Sequence, residues 1–256
     1  MYNNSLGYCN PNSQEQRRYI KTNLIKYFIK IIFSTIHQNQ HKLDFVFLAC
    51  SKMLYLPLYM KQVFYKNTSN GNHLYVWKVY SCANTLLEKI TLSNKELKEF
   101  KVLKNKKRRL EFVACRRALK NIFSCDLILN HRETGQPYIK EAAHLSISHS
   151  HQYIAIAFGT ENIGVDIELP QQKMQQIISR ILSTKEYRLY LKNPSNEQAC
   201  KLWGIKEAVL KYVGDKNLNY RDDIQISRNN VSYLAHQFVV QHETVDEMIL
   251  TYVAKK

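Results

Sequence analysis

The sequence is poor in glycine and proline, with 7 and 5 residues among 256. This scarcity argues against collagen-like, glycine-loop-rich and proline-linker architectures. Long hydrophobic runs are also missing, because lysines interrupt the apolar stretches 24–36 and 45–59. Neither stretch reaches the roughly 18 uninterrupted apolar residues of a membrane span. We therefore expect no stable membrane insertion.

Cysteine pairing motifs are absent as well. The six cysteines are scattered, with no C-x-x-C pair and no Cys/His cluster at zinc spacing. Reduced thiols in a cytoplasmic protein are the simplest interpretation.

Acidic residues are scarce relative to basic ones, at 21 Asp and Glu against 37 Lys and Arg, for a net charge of +16. Such a surplus predicts an acidic partner: nucleic acid, an anionic membrane, a phosphorylated small molecule or an acidic protein. Charge alone does not choose among them. The 45% hydrophobic content predicts a globular chain.

The chain changes character near Met60. Residues 1–59 carry no chemical motif and are predicted to be an amino-terminal extension of unknown role, with a basic amphipathic helix that touches a membrane or a partner as the alternative. From Met60 onward, strand-like and helix-like segments follow each other without regular alternation. This mixed order predicts an α+β fold rather than a doubly wound sheet.

The most informative motif is the predicted strand Gly164–Leu169. Side chains alternate faces along a strand, so Asp166 and Glu168 share one face while apolar neighbours face the core. Two adjacent carboxylates repel each other unless a positive group lies between them, and Mg²⁺ is one natural solution. An amphipathic strand with a hydrated face is an equally weighted alternative.

A predicted helix further along the chain carries Glu207 and Lys211, four residues apart and therefore neighbours on one face. They form either a surface ion pair, the favoured interpretation of the helix alone, or a metal ligand and base paired with a phosphate-binding lysine.

Two further segments suit phosphate binding. Ser148 and His149 lie in a polar stretch predicted as a hairpin tip, which is also compatible with a plain polar turn. The basic run Lys104–Arg109 continues into a helix, where Arg109 and Arg116 are seven apart and predicted to share a face.

Together these features resemble the 4′-phosphopantetheinyl transferase superfamily, specifically the larger Sfp-type with two similar halves in one chain. The resemblance spans Lys107–Lys211 and is expected to extend from Met60 to the end. Its motifs are Arg-Arg-Leu-Glu-Phe-Val-Ala-Cys-Arg, a Gly-x-Pro turn, Ser-Ile-Ser-His-Ser, Gly-Val-Asp-Ile-Glu and Trp-x-x-Lys-Glu-Ala-x-x-Lys.

The resemblance implies two similar α/β halves related by pseudo-twofold symmetry, with the first at 60–160 and the second at 161–256. It also implies an enzyme that transfers 4′-phosphopantetheine from coenzyme A to a serine of an apo acyl or peptidyl carrier protein, releasing 3′,5′-ADP. A monomer is expected, with no nucleic-acid partner.

Residue roles follow from the same resemblance. It implies that Asp166, Glu168 and Glu207 hold Mg²⁺, with Mn²⁺ as an alternative, that Glu207 takes the serine proton and that Lys211 stabilises the leaving phosphate. The residues it assigns to coenzyme A are Arg109, Arg116, Gly135, Pro137, Ser148, His149 and Asp166.

One position departs from the family pattern. The turn commonly reads Gly-Lys-Pro, whereas Gln136 occupies the middle position in this chain. A cationic contact to the nucleotide is then missing or supplied elsewhere, with Lys140 as one candidate.

Two rival functions remain open. The first is a nucleic-acid-binding protein that uses the basic helix 104–117, although no nucleic-acid fold signature accompanies it. The second is a non-catalytic relative that binds only a carrier or a nucleotide.

Overall fold

Two antiparallel sheets form the framework of the residues that a computed structural model describes, 59–227 and 230–256. The first sheet has four strands in the order β1-β2-β6-β5, and the second has five in the order β7-β11-β10-β9-β8. A short two-stranded ladder, β3-β4, is hydrogen-bonded to neither sheet, although β4 contacts β5.

The strands of the first sheet and the short ladder come from the first part of the described chain. They are β1 (Met60–Asn67), β2 (His73–Val79), β3 (Asn130–His131), β4 (Pro137–Tyr138), β5 (His144–Ser150) and β6 (Tyr153–Gly159). The helices in this part are α1 (Ala83–Leu87), α2 (Asn94–Val102) and α3 (Lys106–Phe123).

The second sheet is built from later residues. Its strands are β7 (Ile163–Glu168), β8 (Ile224–Ile226), β9 (Val231–Tyr233), β10 (His236–Val245) and β11 (Met248–Lys255). The accompanying helices are α4 (Gln172–Ile181), α5 (Thr184–Tyr190) and α6 (Asn196–Val213).

The predicted mixed α and β composition is confirmed. The pseudo-twofold relation and the boundaries at 60–160 and 161–256 stay predictions. Residues 1–58 of the predicted extension lie outside the described part of the chain. No helix among the described residues is long and apolar enough to cross a membrane.

The predicted hairpin is present, but its turn lies later than predicted. Ser148 and His149 belong to β5, and the turn is at His151 and Gln152, where His151 has φ +54°. The polar composition of β5 suggested a turn, yet its serines are buried because their hydroxyls bond to the neighbouring strand β7.

Helix α6 packs directly on the second sheet, against β7 and β11. Gly164 of β7 makes this approach possible, since a Cβ there would lie 1.9 Å from the carbonyl oxygen of Ala208. Gly204 does the same on the helix side, where a Cβ would meet Thr251 Oγ1 at 2.5 Å. These contacts set Glu207 and Lys211 beside the strand that carries Asp166.

Candidate active site

Strands β5 and β7 meet through serine hydroxyls. Ser146 Oγ accepts from Val165 N at 3.1 Å, and Ser148 Oγ accepts from Ile167 N at 3.3 Å. Ser148 and Ser150 also donate to the carboxylates of Asp166 and Glu168, at 2.8 and 2.7 Å. The period of two along both strands therefore matches Ser148 to Asp166 and Ser150 to Glu168.

Asp166 is the centre of the site and is only 3% exposed. Its Oδ1 accepts from Ser148 Oγ and, at 2.6 Å, from Lys211 Nζ. Lys211 Nζ also lies 2.8 Å from Ser148 Oγ and 3.9 Å from Glu207 Oε2. The lysine therefore bridges acids on β7 and α6 and balances part of their charge.

The other two acids feel both burial and like charge. Burial raises the pKa of Glu168, and the Asp166 charge raises it further. Burial likewise raises the pKa of Glu207, with the Asp166 charge acting in the same direction against the opposing effect of Lys211. The structure thus places the three predicted acids in one electrostatic neighbourhood.

A ready-made metal centre is not formed there. The described residues contain no group of three or more His, Cys, Asp or Glu side chains arranged to hold an ion. The donor chemistry nevertheless suits a hard cation, because the candidate groups are carboxylates and Asp166 Oδ2 is buried with no hydrogen-bond partner in the described part of the chain.

A cavity of about 690 Å³ opens beside these groups. Lys211 and Tyr220 line it from the second-sheet side, and Ser146 and His149 line it from β5. Its cationic lining residues are Arg108, Arg116, Lys211 and Lys216, and its acidic ones are Glu111 and Asp215. This excess of positive charge favours an anionic ligand.

The two arginines predicted to share a face of α3 both point toward α2. Arg109 donates to the carbonyls of Phe100 and Leu103, and it is not among the described residues that line the cavity. Arg116 pairs with Glu96 at 2.7 Å and lines the cavity, and its Nη2 is buried with no hydrogen-bond partner among the described residues. Arg116 therefore both holds α2 and borders the cavity, whereas Arg109 only holds α2.

His149 points to the opposite face from Ser148. Its Nδ1 lies 3.3 Å from Glu111 Oε1, and burial lowers the pKa of the imidazole. Arg108, which belongs to the basic run and begins the Arg-Arg-Leu-Glu motif but was assigned no role, bonds the same glutamate at 3.2 Å and lines the cavity. Arg108, in the exposed first turn of α3, therefore lines the cavity, whereas Arg109 does not line it among the described residues.

The Gly135–Pro137 turn also reaches the cavity. Gly135 has φ +89°, which explains glycine at this position. Gln136 donates to the carbonyls of Lys211 and Tyr212, at 3.0 and 3.2 Å, and so caps the carboxyl end of α6. The departure from the family lysine therefore has a structural role.

Another cation stands near this turn. Lys216 lines the cavity and donates to the carbonyl of Glu133. Its Cε lies 3.6 Å from the position that a Cβ on Gly135 would take. Lys140, the candidate from sequence, is exposed and does not line the cavity as the described residues form it.

Sequence reasoning missed a buried ion pair behind the site. Lys206 is 0% exposed and donates to both carboxylate oxygens of Glu186, at 2.9 and 3.1 Å, and to the Ile224 carbonyl. The lysine beside Glu207 in the α6 motif is a visible signal for it, and the structure shows Glu186 to be the N3 residue of the α5 capping box.

A model of the 4′-phosphopantetheinyl transferase superfamily matches residues 162–248. The match includes Asp166, Glu168, Glu207 and Lys211, and it excludes the predicted coenzyme A contacts that precede residue 162.

Curated relatives are similar to this chain over a segment of comparable length. The 4′-phosphopantetheinyl transferase Sfp of Bacillus subtilis (strain 168) is 34% identical over 94 residues, which cover 35% of this chain and 42% of the relative. The 4′-phosphopantetheinyl transferase gsp of Aneurinibacillus migulanus is 28% identical over 97 residues, covering 37% and 41%. The 4′-phosphopantetheinyl transferase psf-1 of Bacillus pumilus is 29% identical over 99 residues, covering 37% and 42%.

The matched segments thus span about two fifths of the length of these relatives. Within that segment, the resemblance inferred from the motifs is confirmed: residues 162–248 match the 4′-phosphopantetheinyl transferase superfamily, and the enzyme class to which they are similar is 4′-phosphopantetheinyl transferase.

Proposed function

We propose that this protein transfers 4′-phosphopantetheine from coenzyme A to a serine of an apo acyl or peptidyl carrier protein. The serine oxygen forms a bond to the phosphorus that bears pantetheine. The bond from that phosphorus to the oxygen bridging to the nucleotide breaks, and 3′,5′-ADP leaves. The observation that supports this most strongly is the Asp166–Lys211–Glu207 arrangement beside a cation-rich cavity.

Glu207 is the group that we expect to take the serine proton. A general base works best with a pKa near the operating pH, and both burial and Asp166 raise the pKa of Glu207 from its usual range. Its Oε2 lies toward Lys211 rather than in a tight ion pair with it, at 3.9 Å.

Lys211 is the group that we expect to meet the leaving phosphate. The Lys211 side chain is 25% exposed and lines the cavity, and its ammonium contacts Asp166. A cation fixed beside the reacting diphosphate stabilises the negative charge that grows on the leaving group.

Magnesium, or Mn²⁺ in its place, would be held by Asp166, Glu168 and Glu207. Such an ion neutralises charge on a diphosphate when bound. This assignment is supported by Asp166 Oδ2, which is buried with no hydrogen-bond partner among the described residues, and by the Asp166 charge, which adds to the effect of burial in raising the pKa values of both glutamates. Since Lys211 already bonds Asp166 Oδ1, binding of an ion would compete with this lysine.

The cavity is the proposed site for coenzyme A. Arg116 offers a buried donor, His149 lies on the β5 wall, and Gly135 and Pro137 form the opposite rim. Ser148 reaches the site through its bonds with Lys211 and Asp166. We propose Arg108 in place of Arg109 for phosphate contact, because Arg108 lines the cavity.

The nucleic-acid alternative is less favoured because much of the basic helix is engaged internally. Arg109, Arg116 and Arg117 each donate to a carbonyl or carboxylate of a neighbouring segment. We propose a monomeric, cytoplasmic enzyme of two related halves, 60–160 and 161–256, with no nucleic-acid partner.

The test is carrier modification. Apo carriers from a panel are incubated with the protein, coenzyme A and Mg²⁺, and intact mass is measured. We expect a serine-linked mass gain of one phosphopantetheine. Glu207→Gln is expected to slow the reaction by about 10²-fold or more, the usual contribution of a general base.

Glu197→Gln is the matched control. Glu197 lies on the same helix, 64% exposed, in an ion pair with Lys201. It should leave the rate unchanged. If no apo carrier gains mass, while DNA binds with steep salt dependence that is indifferent to Asp166→Ala, the nucleic-acid function replaces this proposal.

A further inference from the structure

Tyr220 contacts Glu207 directly, although it lies in no motif. Its hydroxyl donates to Glu207 Oε1 at 2.8 Å, and its ring lines the main cavity. We infer that Tyr220 is a positioning residue that fixes the Glu207 carboxylate for proton removal, an inference that rests on the proposed function.

The tyrosine ring is itself held in place by the same helix. It stacks on Trp203 with a centroid separation of 6.2 Å and an interplanar angle of 15°. Trp203 and Glu207 are four residues apart on α6 and therefore share a face. Tyr220 thus contacts two positions on one helical face, through its ring and through its hydroxyl.

The loop that carries Tyr220 is braced on both sides of it. Asp223 Oδ2 accepts from Asn219 N at 2.8 Å, and Asn219 Oδ1 accepts from Arg221 N at 2.9 Å. Leu218 is buried in the core beneath α6, at 7% exposure. The hydroxyl is therefore presented by an ordered backbone and not by a freely moving side chain.

This contact distinguishes the two oxygens of Glu207. Oε1 accepts the tyrosine hydroxyl, and Oε2 is the oxygen that lies toward Lys211. With one oxygen engaged, the carboxylate is restricted in rotation, and Oε2 remains to accept a proton. Since misplacing a reacting group by about 1 Å can cost on the order of 10²-fold, such a restraint affects the chemical step.

Tyr220→Phe tests the inference, because phenylalanine keeps the stack on Trp203 and removes only the hydroxyl. In the carrier assay we expect kcat to fall about tenfold, with KM for coenzyme A and for the carrier within twofold of wild type. The unfolding temperature should stay close to wild type. A kcat within twofold of wild type would overturn the inference.

Tyr153→Phe is the matched control. Tyr153 also donates to a carboxylate at 2.8 Å, that of Asp246, and it does not line the main cavity among the described residues. It removes an equivalent hydrogen bond elsewhere, and kcat should be unchanged. An equal fall in both variants would mean a general structural effect and would contradict a positioning role.

A second measurement does not depend on transfer. The side-chain carboxyl ¹³C resonance of Glu207, assigned with Glu207→Gln, should move in Tyr220→Phe and stay in Tyr153→Phe. If it moves while wild type modifies no carrier, the contact stands and the proposed function fails. If it does not move, the positioning role fails whatever the transfer assay gives.

Discussion

Asp166 is buried and Glu168 and Glu207 beside it are half-buried, an arrangement that is costly for folding. Glu168 shares a face of β7 with Asp166, and among the described residues its Oε2 accepts a hydrogen bond from Ser150 alone. A carboxyl whose pKa is raised in the folded state is more easily ionised after unfolding, so its ionisation lowers stability as pH rises above the unfolded value. Site chemistry and stability therefore make opposite demands at this residue.

Glu168→Gln should consequently stabilise the metal-free protein. At pH 7 in chelator we expect an unfolding temperature about 2 °C higher than wild type, since about 1 kcal/mol shifts it by about 2–4 °C at this size. The difference should shrink as pH falls and disappear below the unfolded glutamate pKa of about 4.3, where the carboxyl is protonated in both states. Carrier modification should be lost in the same variant.

Calorimetric scans at several pH values measure this effect. Glu197→Gln, on the exposed surface of α6, is the control and should show no such pH-dependent gain. A lower unfolding temperature for Glu168→Gln at pH 7 would contradict the argument.

The Lys206–Glu186 pair makes the opposite contribution. Removing one member leaves a buried charge without its counter-ion, which costs about 3–5 kcal/mol. Lys206→Ala should therefore lower the free energy of unfolding by about that amount, measured by urea denaturation. Lys201→Ala, which breaks the exposed pair with Glu197, should cost no more than about 0.5 kcal/mol.

At the residue scale, the strand and helix periods were enough to predict that Asp166 and Glu168 share a face and that Glu207 neighbours Lys211. They could not distinguish the role of Arg108 from that of Arg109, because both belong to the same basic run. Only the packing of α2 shows that Arg109 bonds to α2 while Arg108 lines the cavity. Tyr220 could not be predicted either, since it approaches α6 from a loop.

Among the elements, α6 is the one whose placement decides the site. It is seated on β7 by Gly164, and its carboxyl end is capped by Gly214 and by Gln136 from a distant turn. Sequence predicted the helix and the strand separately, but not that these glycines mark their contact. Likewise, the polarity of β5 was attributed to a turn because its partner β7 could not be foreseen.

Gly214 and Gln136 should be coupled energetically. Gly214 has φ +71°, and a Cβ there would lie 2.2 Å from Gln136 Cδ. Gly214→Ala should therefore cost more than the roughly 1 kcal/mol expected from backbone strain alone. In a Gln136→Ala background the steric part disappears, and the same substitution should cost about 1 kcal/mol.

A double-mutant cycle by urea unfolding measures this coupling. Additive costs of the two substitutions would mean that the side chain and the helix end do not meet. Gly71→Ala, at a similar φ of +74° with its nearest neighbour at 4.0 Å, supplies the control for strain without crowding.

For the whole molecule, the excess of positive charge is expected to act on encounter and not on the chemical step. The net charge is +16, and the resemblance implies an acidic carrier. We expect kcat/KM for the carrier to fall about tenfold between about 20 and 200 mM salt, while kcat at saturating carrier changes little. Steady-state kinetics at both salt concentrations, with potassium chloride matched against potassium acetate, tests this. A salt effect confined to kcat would contradict it.

At this scale the mixed class of the fold was predictable from the order of its segments. The distribution of strands over two sheets was not, because pairings such as β7 with β11 join residues more than eighty positions apart. Long-range pairing of this kind leaves no local trace in the sequence.

Ser148 Oγ takes part both in the contact between the two sheets and in the candidate site. The same oxygen receives the amide of Ile167, tying the edge of one sheet to the other, and contacts both Asp166 and Lys211. A ligand that displaces Lys211 would remove one hydrogen-bond partner of Ser148 Oγ, which also bonds to the Ile167 amide of the second sheet. Ligand binding is therefore expected to alter the hydrogen bond between the two sheets, and hydrogen exchange of the Ile167 amide should report whether the site is filled.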